Sequence, residues 1–192
     1  MSKAVLEEEI SRALKVLKLG GIILYPTDTI WGLGCDPDNI EAVNKIYNIK
    51  KRSDTKAMII LVNSSEMIFN YINKIPELAY DLIELTEKPL TIIYDGARNL
   101  APNLISSDGS IGIRVSKEKF SNSLIKSYRK PIVSTSANIS DKITPRVFSE
   151  IDSAIIDAVD YVVDWEQEKR TPSAPSGIIR LGTNGEVKII RK

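Results

Sequence analysis

The chain has 192 residues, 43% of them hydrophobic, which is enough for one domain with a substantial core, and its 26 basic against 25 acidic residues leave a net charge of +1. A balance this close to zero excludes a polyanion binder that works through overall charge, so any basic surface has to come from local clustering. The absence of histidine and the single cysteine, Cys35, exclude an intramolecular disulfide, Ser-His-Asp chemistry and the usual zinc-ligand sets.

The amino-terminal segment, MSKAVLEEEISRALKVL, is charged and amphipathic rather than signal-like. No apolar run approaches the ~20 residues that span a bilayer, so a soluble, cytoplasmic protein with no membrane partner is expected. Ser2 is placed to cap a helix whose apolar positions Val5, Leu6, Ile10, Ala13, Leu14 and Leu17 recur at helical spacing, and Gly20-Gly21 end it. Ile22 to Tyr25 reads as a short buried strand. It delivers the chain into Pro26-Thr27-Asp28-Thr29-Ile30-Trp31-Gly32-Leu33-Gly34, which has the composition of a loop at a strand end.

Asp38 or Asn39 can cap a helix through Glu41 to Asn48, with Val43, Ile46 and Tyr47 on one face. That helix leads into Lys50, Lys51, Arg52 and Lys56, four cations within seven positions, directly before the apolar segment Met58 to Val62. Guanidinium and ammonium groups fixed at a strand end can grip phosphate oxygens bidentately and as point charges. A solvated lysine-rich turn ahead of a buried strand is the alternative for such a triplet.

Two further helices are expected over Ser64 to Ile72 and Ile75 to Leu85, then a strand from Leu90 to Tyr94 and a long connection from Asp95 to Gly109. Ile111 to Val115 is a strand carrying Arg114, Phe120 to Tyr128 a helix capped by Ser121 or the residues around it, and Pro131 to Ser134 a strand. That strand ends in the small polar run Ser134-Thr135-Ser136-Ala137-Asn138. The last third predicts a helix within Val147 to Val159, a strand at Tyr161 to Asp164, a polar loop through Ser173, and closing strands at Gly177 to Leu181 and Val187 to Ile190. A Thr183-Asn184-Gly185 turn of hairpin type joins the closing strands.

With no internal repeat and no linker, residues 1–192 read as a single domain. The alternation of strands and helices, with a late hairpin, argues for an α/β domain on a mixed sheet. Ligands of open α/β sheets collect beyond strand ends, and PTDTIWG, KKRSDTK and STSAN each adjoin a predicted strand. Hydroxyls, an amide and cations converging there would suit a nucleotide or another phosphorylated ligand.

These segments also carry a resemblance. Pro26 to Leu33, the K-x-R-x-x-x-K pattern of Lys50, Arg52 and Lys56, Ile113-Arg114-Val115, Ser134 to Asn138 and Pro175-Ser176 look like the successive motifs of the YrdC/TsaC family, the threonylcarbamoyl-AMP synthases, in order over about residues 8 to 191. The resemblance is to the short single-domain form. It implies a YrdC-like twisted mixed sheet flanked by helices, with a deep basic concave cleft. It implies an enzyme, a nucleotidyltransferase, that converts L-threonine, bicarbonate and ATP to threonylcarbamoyl-adenylate and pyrophosphate, with Mg2+ carried on the ATP and no metal site of its own. The product serves tRNA threonylcarbamoyladenosine modification, so transfer-step tRNA-modification proteins are implied partners, as is tRNA or double-stranded RNA.

Carried over by position, Lys50 and Arg52 are the expected catalytic residues. Arg52, Lys56, Ser136, Asn138, Thr144 and Ser176 are expected at the nucleotide, and Thr29, Arg114 and Ser134 at the threonine. The chemistry agrees: a carbamate attacking the α-phosphorus needs alignment and charge neutralisation rather than a histidine. A guanidinium inside an apolar strand has to be paired, so Arg114 suits a substrate carboxylate; an ion pair with a core Asp or Glu is the alternative. Trp31 and Tyr47 read as packing groups rather than base-stacking ones, and Cys35 as a bystander.

The chain departs from the family at Glu87-Lys88-Pro89-Leu90-Thr91, where a P-G-P-x-T element is usual, and at Leu61, where a polar residue is common. Asp164 to Lys169 replaces a Gly-rich segment, and Gly177 stands where many members have threonine. The other readings are a non-synthase paralogue of the YciO kind, which the altered turns favour and the intact K-x-R and S-x-N patterns disfavour, and an RNA-binding protein, for which a charge of +1 is modest.

Overall fold

The computed structural model describes residues 2–51, 58–168 and 175–192. Helix α1 (Lys3–Lys18) begins on Ser2, whose hydroxyl accepts from the Val5 amide at 3.4 Å, and ends at Leu19 before Gly20, which takes φ +75°. Strand β1 (Ile23–Tyr25) then pairs antiparallel with β2 (Gly32–Gly34). The sequence suggests a loop over Gly32 to Gly34; they form a strand in which Leu33 packs into the core and the two flanking glycines sit where a side chain has little room. A Cβ on Gly34 would lie 2.6 Å from Tyr25 Cε1 and 3.0 Å from the Val133 carbonyl oxygen.

Helix α2 (Ile40–Ile49) is capped by Asn39, which accepts from the Ala42 amide at 3.0 Å, and is followed by β3 (Ile59–Val62). The two helices expected next are shorter than their apolar spacing suggests: a 3₁₀ turn at Glu66–Asn70 and helix α3 (Leu78–Leu85). Tertiary pairing takes the residues between them. Tyr71 O accepts from the Arg98 amide at 2.8 Å, the Asn73 amide donates to Gly96 O at 3.2 Å, and Ile72 bridges to Ala97. The connection that follows β4 (Leu90–Tyr94) is therefore pinned down, with Ala101 and Leu104 buried.

Strand β5 (Ile111–Val115) leads to α4 (Lys119–Tyr128), whose cap is Glu118 rather than Ser121; the carboxylate accepts from the Phe120 and Ser121 amides at 2.8 and 2.7 Å. After β6 (Ile132–Ser136), the single helix expected over 147–159 is split into a 3₁₀ turn at Phe148–Glu150 and the short α5 (Ser153–Ile156). Extended Ile151 breaks the run, and Asp152 opens a new cap on the Ala154 amide at 3.0 Å. Strand β7 (Tyr161–Val162) precedes the closing pair β8 (Gly177–Leu181) and β9 (Val187–Arg191).

The nine described strands form one mixed sheet in the order β7-β1-β2-β6-β3-β5-β4-β8-β9, with β1/β7, β3/β5 and β4/β8 parallel and the other pairs antiparallel. Alternation along the strands feeds two cores. Leu24, Ile60 and Val62 face α2, α3 and α5, whereas Ile23, Tyr25 and Leu61 face α1 and α4. Among the described residues no helix is long and apolar enough to cross a membrane.

Candidate functional site

The register of the central strands gathers the polar side chains. Ile59 of β3 lies opposite both Gly112 of β5 and Ser134 of β6, Leu61 lies opposite Arg114, and Gly32 of β2 opposite Ser136. With a side-chain period of two, Arg114, Ser134 and Ser136 share one face of the sheet. Thr91 of β4 joins them there, two residues before Ile93, the partner of Gly112. On this face a cleft of about 270 Å³ is lined by Thr29, Thr91, Arg114, Ser134, Ser136, Thr144, Ser176 and Arg191.

One wall of the cleft is the segment after β1, and its shape is set locally. Thr27 Oγ1 accepts from the Thr29 amide at 3.1 Å and donates to Ile30 O at 2.7 Å, a hydroxyl-closed turn that holds Thr29 at 8% exposure. Behind this wall lies a second lobe of about 380 Å³, bounded by Asp28, by residues 86–90 and by Lys117, Arg146 and Glu166. Trp31 closes the end of the wall against Phe148, with ring centroids 4.8 Å apart, so it is a packing group as its sequence context suggests.

Arg114 is 5% exposed, and its Nη2 reaches both Asp28 Oδ1 at 3.0 Å and Thr29 Oγ1 at 3.2 Å. The core ion pair considered as an alternative from sequence is therefore present, and the guanidinium also lines the cleft. Burial pushes the Asp28 carboxyl up, while the positive charge of Arg114 draws it back down. On the far side, Ser176 Oγ lies 2.8 Å from Thr91 Oγ1, and Arg191 Nε donates to Ser176 O at 3.0 Å. Burial first, and then repulsion from Arg114, hold the Arg191 guanidinium below its usual range.

Six of the residues expected from sequence, Thr29, Arg114, Ser134, Ser136, Thr144 and Ser176, line this one cleft. Two stand just outside it. Lys50, 2% exposed, points its ammonium at the carbonyls of Ser136 and Asn138, at 2.5 and 2.6 Å. Asn138 accepts from Ser136 Oγ at 2.5 Å and donates to the Ile139 and Lys142 carbonyls at 2.9 and 2.8 Å, so its amide shapes the loop after β6. Arg52 and Lys56 lie outside the described residues.

Sequence reasoning did not single out Thr91 or Arg191 as site residues. Thr91 sits in the turn-and-strand segment where the family motif is altered, and Arg191 is one of many terminal charges; only the pairing of β4 with β8 and of β8 with β9 brings them to Ser176.

The Sua5/YciO/YrdC family profile, described as telomere recombination, matches residues 15–192. A threonylcarbamoyl-AMP synthase of Pseudoalteromonas translucida (strain TAC 125) is 32% identical over 184 residues, covering 94% of this chain and 97% of that protein. P. abyssi Sua5, solved in complex with L-threonine, superposes with a TM-score of 0.81 at 24% identity over 91% of this chain; the chain spans 51% of that longer protein. E. coli YciO superposes with a TM-score of 0.84 at 22% identity, covering 97% of this chain and 89% of that one. At these identities the two structures establish the fold.

Proposed function

This chain belongs to the Sua5/YciO/YrdC family, and from that premise we propose that it is a threonylcarbamoyl-AMP synthase, a nucleotidyltransferase that makes threonylcarbamoyl-AMP and pyrophosphate from L-threonine, bicarbonate and ATP for tRNA threonylcarbamoyladenosine modification. The observation that carries this reading is the placing of Arg114, Thr29 and Ser134 in one cleft with Ser136, Thr144 and Ser176. A carboxylate-sized fork and a row of hydroxyls stand together on a sheet face.

The amine of threonine and bicarbonate combine to a carbamate with loss of water. A carbamate oxygen then attacks the α-phosphorus of ATP, and pyrophosphate leaves. Arg114 would hold the threonine carboxylate, with Thr29 and Ser134 at its ammonium or hydroxyl end. Ser136, Thr144 and Ser176 would donate to phosphate or ribose oxygens, and Arg191, Arg52 and Lys56 would face the charge that builds on the leaving pyrophosphate. Lys50 would act through the loop it anchors, which carries Ser136 and Asn138. This donor set suits phosphate oxygens rather than a cation, so Mg2+ would arrive on ATP as part of the substrate. The adenylate would pass to transfer-step proteins and tRNA.

The test is pyrophosphate release by the purified protein with Mg-ATP, with L-threonine and bicarbonate supplied or withheld, alongside Arg52→Ala and Arg114→Ala. Release that needs both co-substrates and is lost in both variants supports the synthase. ATP binding without threonine-dependent release sinks it and leaves a YciO-like or RNA-binding role.

A further inference from the structure

Arg114 is held through one nitrogen. Nη2 meets Asp28 and Thr29, whereas Nε is buried with no hydrogen-bond partner. Asp28, whose side chain is 9% exposed, sits close enough for an ion pair, yet Oδ1 makes no aligned hydrogen bond. The contact is thus monodentate, and the buried Nε–H of the guanidinium is left without an acceptor. Asp28 lines the larger lobe and Arg114 the smaller one, so the carboxylate approaches from behind the wall and does not fill the space in front.

Thr27 closes the loop through its two backbone contacts, and the Asp28 carboxyl is steadied by its own backbone and by that of Lys117. Its charge is felt at Arg114, 3.0 Å away. Charge adds a second consequence, because the charged groups among the described residues lining the smaller lobe are Arg114 and Arg191. With Asp28 against Arg114, one of these two cations is compensated and the other is not.

We infer that Asp28 is a positioning residue that holds the Arg114 guanidinium through Nη2 at the wall of the smaller lobe, and that its charge makes Arg114 a site for a single-charged α-carboxylate in preference to a polyphosphate. The inference rests on the synthase reading, since it assigns Arg114 to the amino acid. Without the Asp28 charge, the lobe would become more attractive to phosphates while the fork lost its alignment. Affinities for the two ligand types would then move in different directions.

The experiment is titration calorimetry of L-threonine and of pyrophosphate with the wild type, Asp28→Asn and Asp28→Glu, with melting curves for each. Asp28→Asn is expected to weaken threonine by about tenfold while pyrophosphate holds or tightens, and Asp28→Glu to restore threonine to within about threefold of wild type. Asp28→Ser carries the same expectation as Asn should the amide variant not fold. Threonine affinity unchanged by loss of the charge overturns the inference alone, as does parallel weakening of both ligands with no rescue by Glu. A wild type that binds no threonine overturns the synthase reading and this inference with it.

Discussion

The ammonium of Lys50, at the end of α2, lies 2.5 Å from the carbonyl oxygen of Ser136, at the end of β6, across 86 positions of chain. The Asn138 carbonyl receives the same ammonium at 2.6 Å, and the Ser140 amide returns a bond to Lys50 O at 2.9 Å. A buried cation thus ties the start of the cationic segment to the hydroxyl-bearing loop of the cleft. A lysine is tolerated at 2% exposure because carbonyl dipoles replace its water.

Lys50→Met should leave those carbonyls without their donor while filling most of the same volume. Hydrogen bonds to a charged group are worth ~1.5–3 kcal/mol, so a loss of about 3 kcal/mol of stability is expected, together with a several-fold fall in activity as the 136–140 loop loosens. Urea denaturation followed by circular dichroism reads the first and pyrophosphate release the second. A variant that is inactive at wild-type stability would instead place the ammonium in direct contact with substrate.

Two glycines test how the strands approach one another. Gly34→Ala would put a Cβ 2.6 Å from Tyr25 Cε1 and 2.9 Å from Ile132 Cγ2, against packed and largely immobile neighbours. Overpacking of this kind costs ~1–3 kcal/mol. Gly177→Ala, whose Cβ would lie an ordinary 3.5 Å from Leu90 Cδ1, should be neutral or stabilising by up to ~1 kcal/mol through the unfolded chain. Melting temperatures of the two variants should move apart; equal shifts would mean that β2 relaxes away from β6.

Much of this arrangement is written in local pattern. Ser2 and Asn39 cap their helices as their positions suggest, and Ile22 to Tyr25 and Met58 to Val62 are buried strand segments as their apolar runs indicate, although the runs do not show that alternate residues feed two separate cores. What local pattern does not carry is competition from distant partners. Residues 71–73 have helical spacing, but the connection after β4 claims their backbone groups. In the site, Arg114, Ser134, Ser136 and Ser176 are legible because their motif positions fall in or beside strands, where side-chain direction is fixed, while Thr29 and Thr144 reach the same cleft from loops. Thr91 and Arg191 are not, because their role depends on register between strands far apart in the chain. Asp28 is legible as a residue but not as a partner, since nothing in PTDT indicates which way its carboxylate turns.

Acid should loosen the link between β8 and the 95–109 connection. Asp108 accepts from Ser110 Oγ at 2.6 Å and from Arg180 Nη1 at 2.7 Å, and these contacts lower its carboxyl from 3.8 to about 2. A depressed folded-state value means stabilisation that is present above the unfolded value and lost as pH falls through about 2. Because Asp108 is 48% exposed and Arg180 35%, solvent screening limits the effect to ~1 kcal/mol or less. Asp108→Asn should therefore lower stability by up to that amount above about pH 4 and flatten the slope between about pH 4 and pH 2, so that the two curves converge at the acid end, as measured by urea midpoints across that range.

Thr91→Val tests a residue that only the fold brings to the site. Thr91 is 1% exposed, and its hydroxyl lies 2.8 Å from that of Ser176; valine keeps the branched shape and removes the bond. Loss of one buried neutral hydrogen bond predicts ~1 kcal/mol of destabilisation. The functional effect should fall on the nucleotide rather than on threonine, because the Ser176 hydroxyl is freed to rotate toward Arg191 Nη2, 3.5 Å away. A several-fold rise in KM for ATP with little change in KM for threonine is the expected split, and Ser176→Ala should show the same split more strongly. If Ser176→Ala raises KM for ATP and Thr91→Val does not, Arg191 rather than Thr91 sets the direction of that hydroxyl.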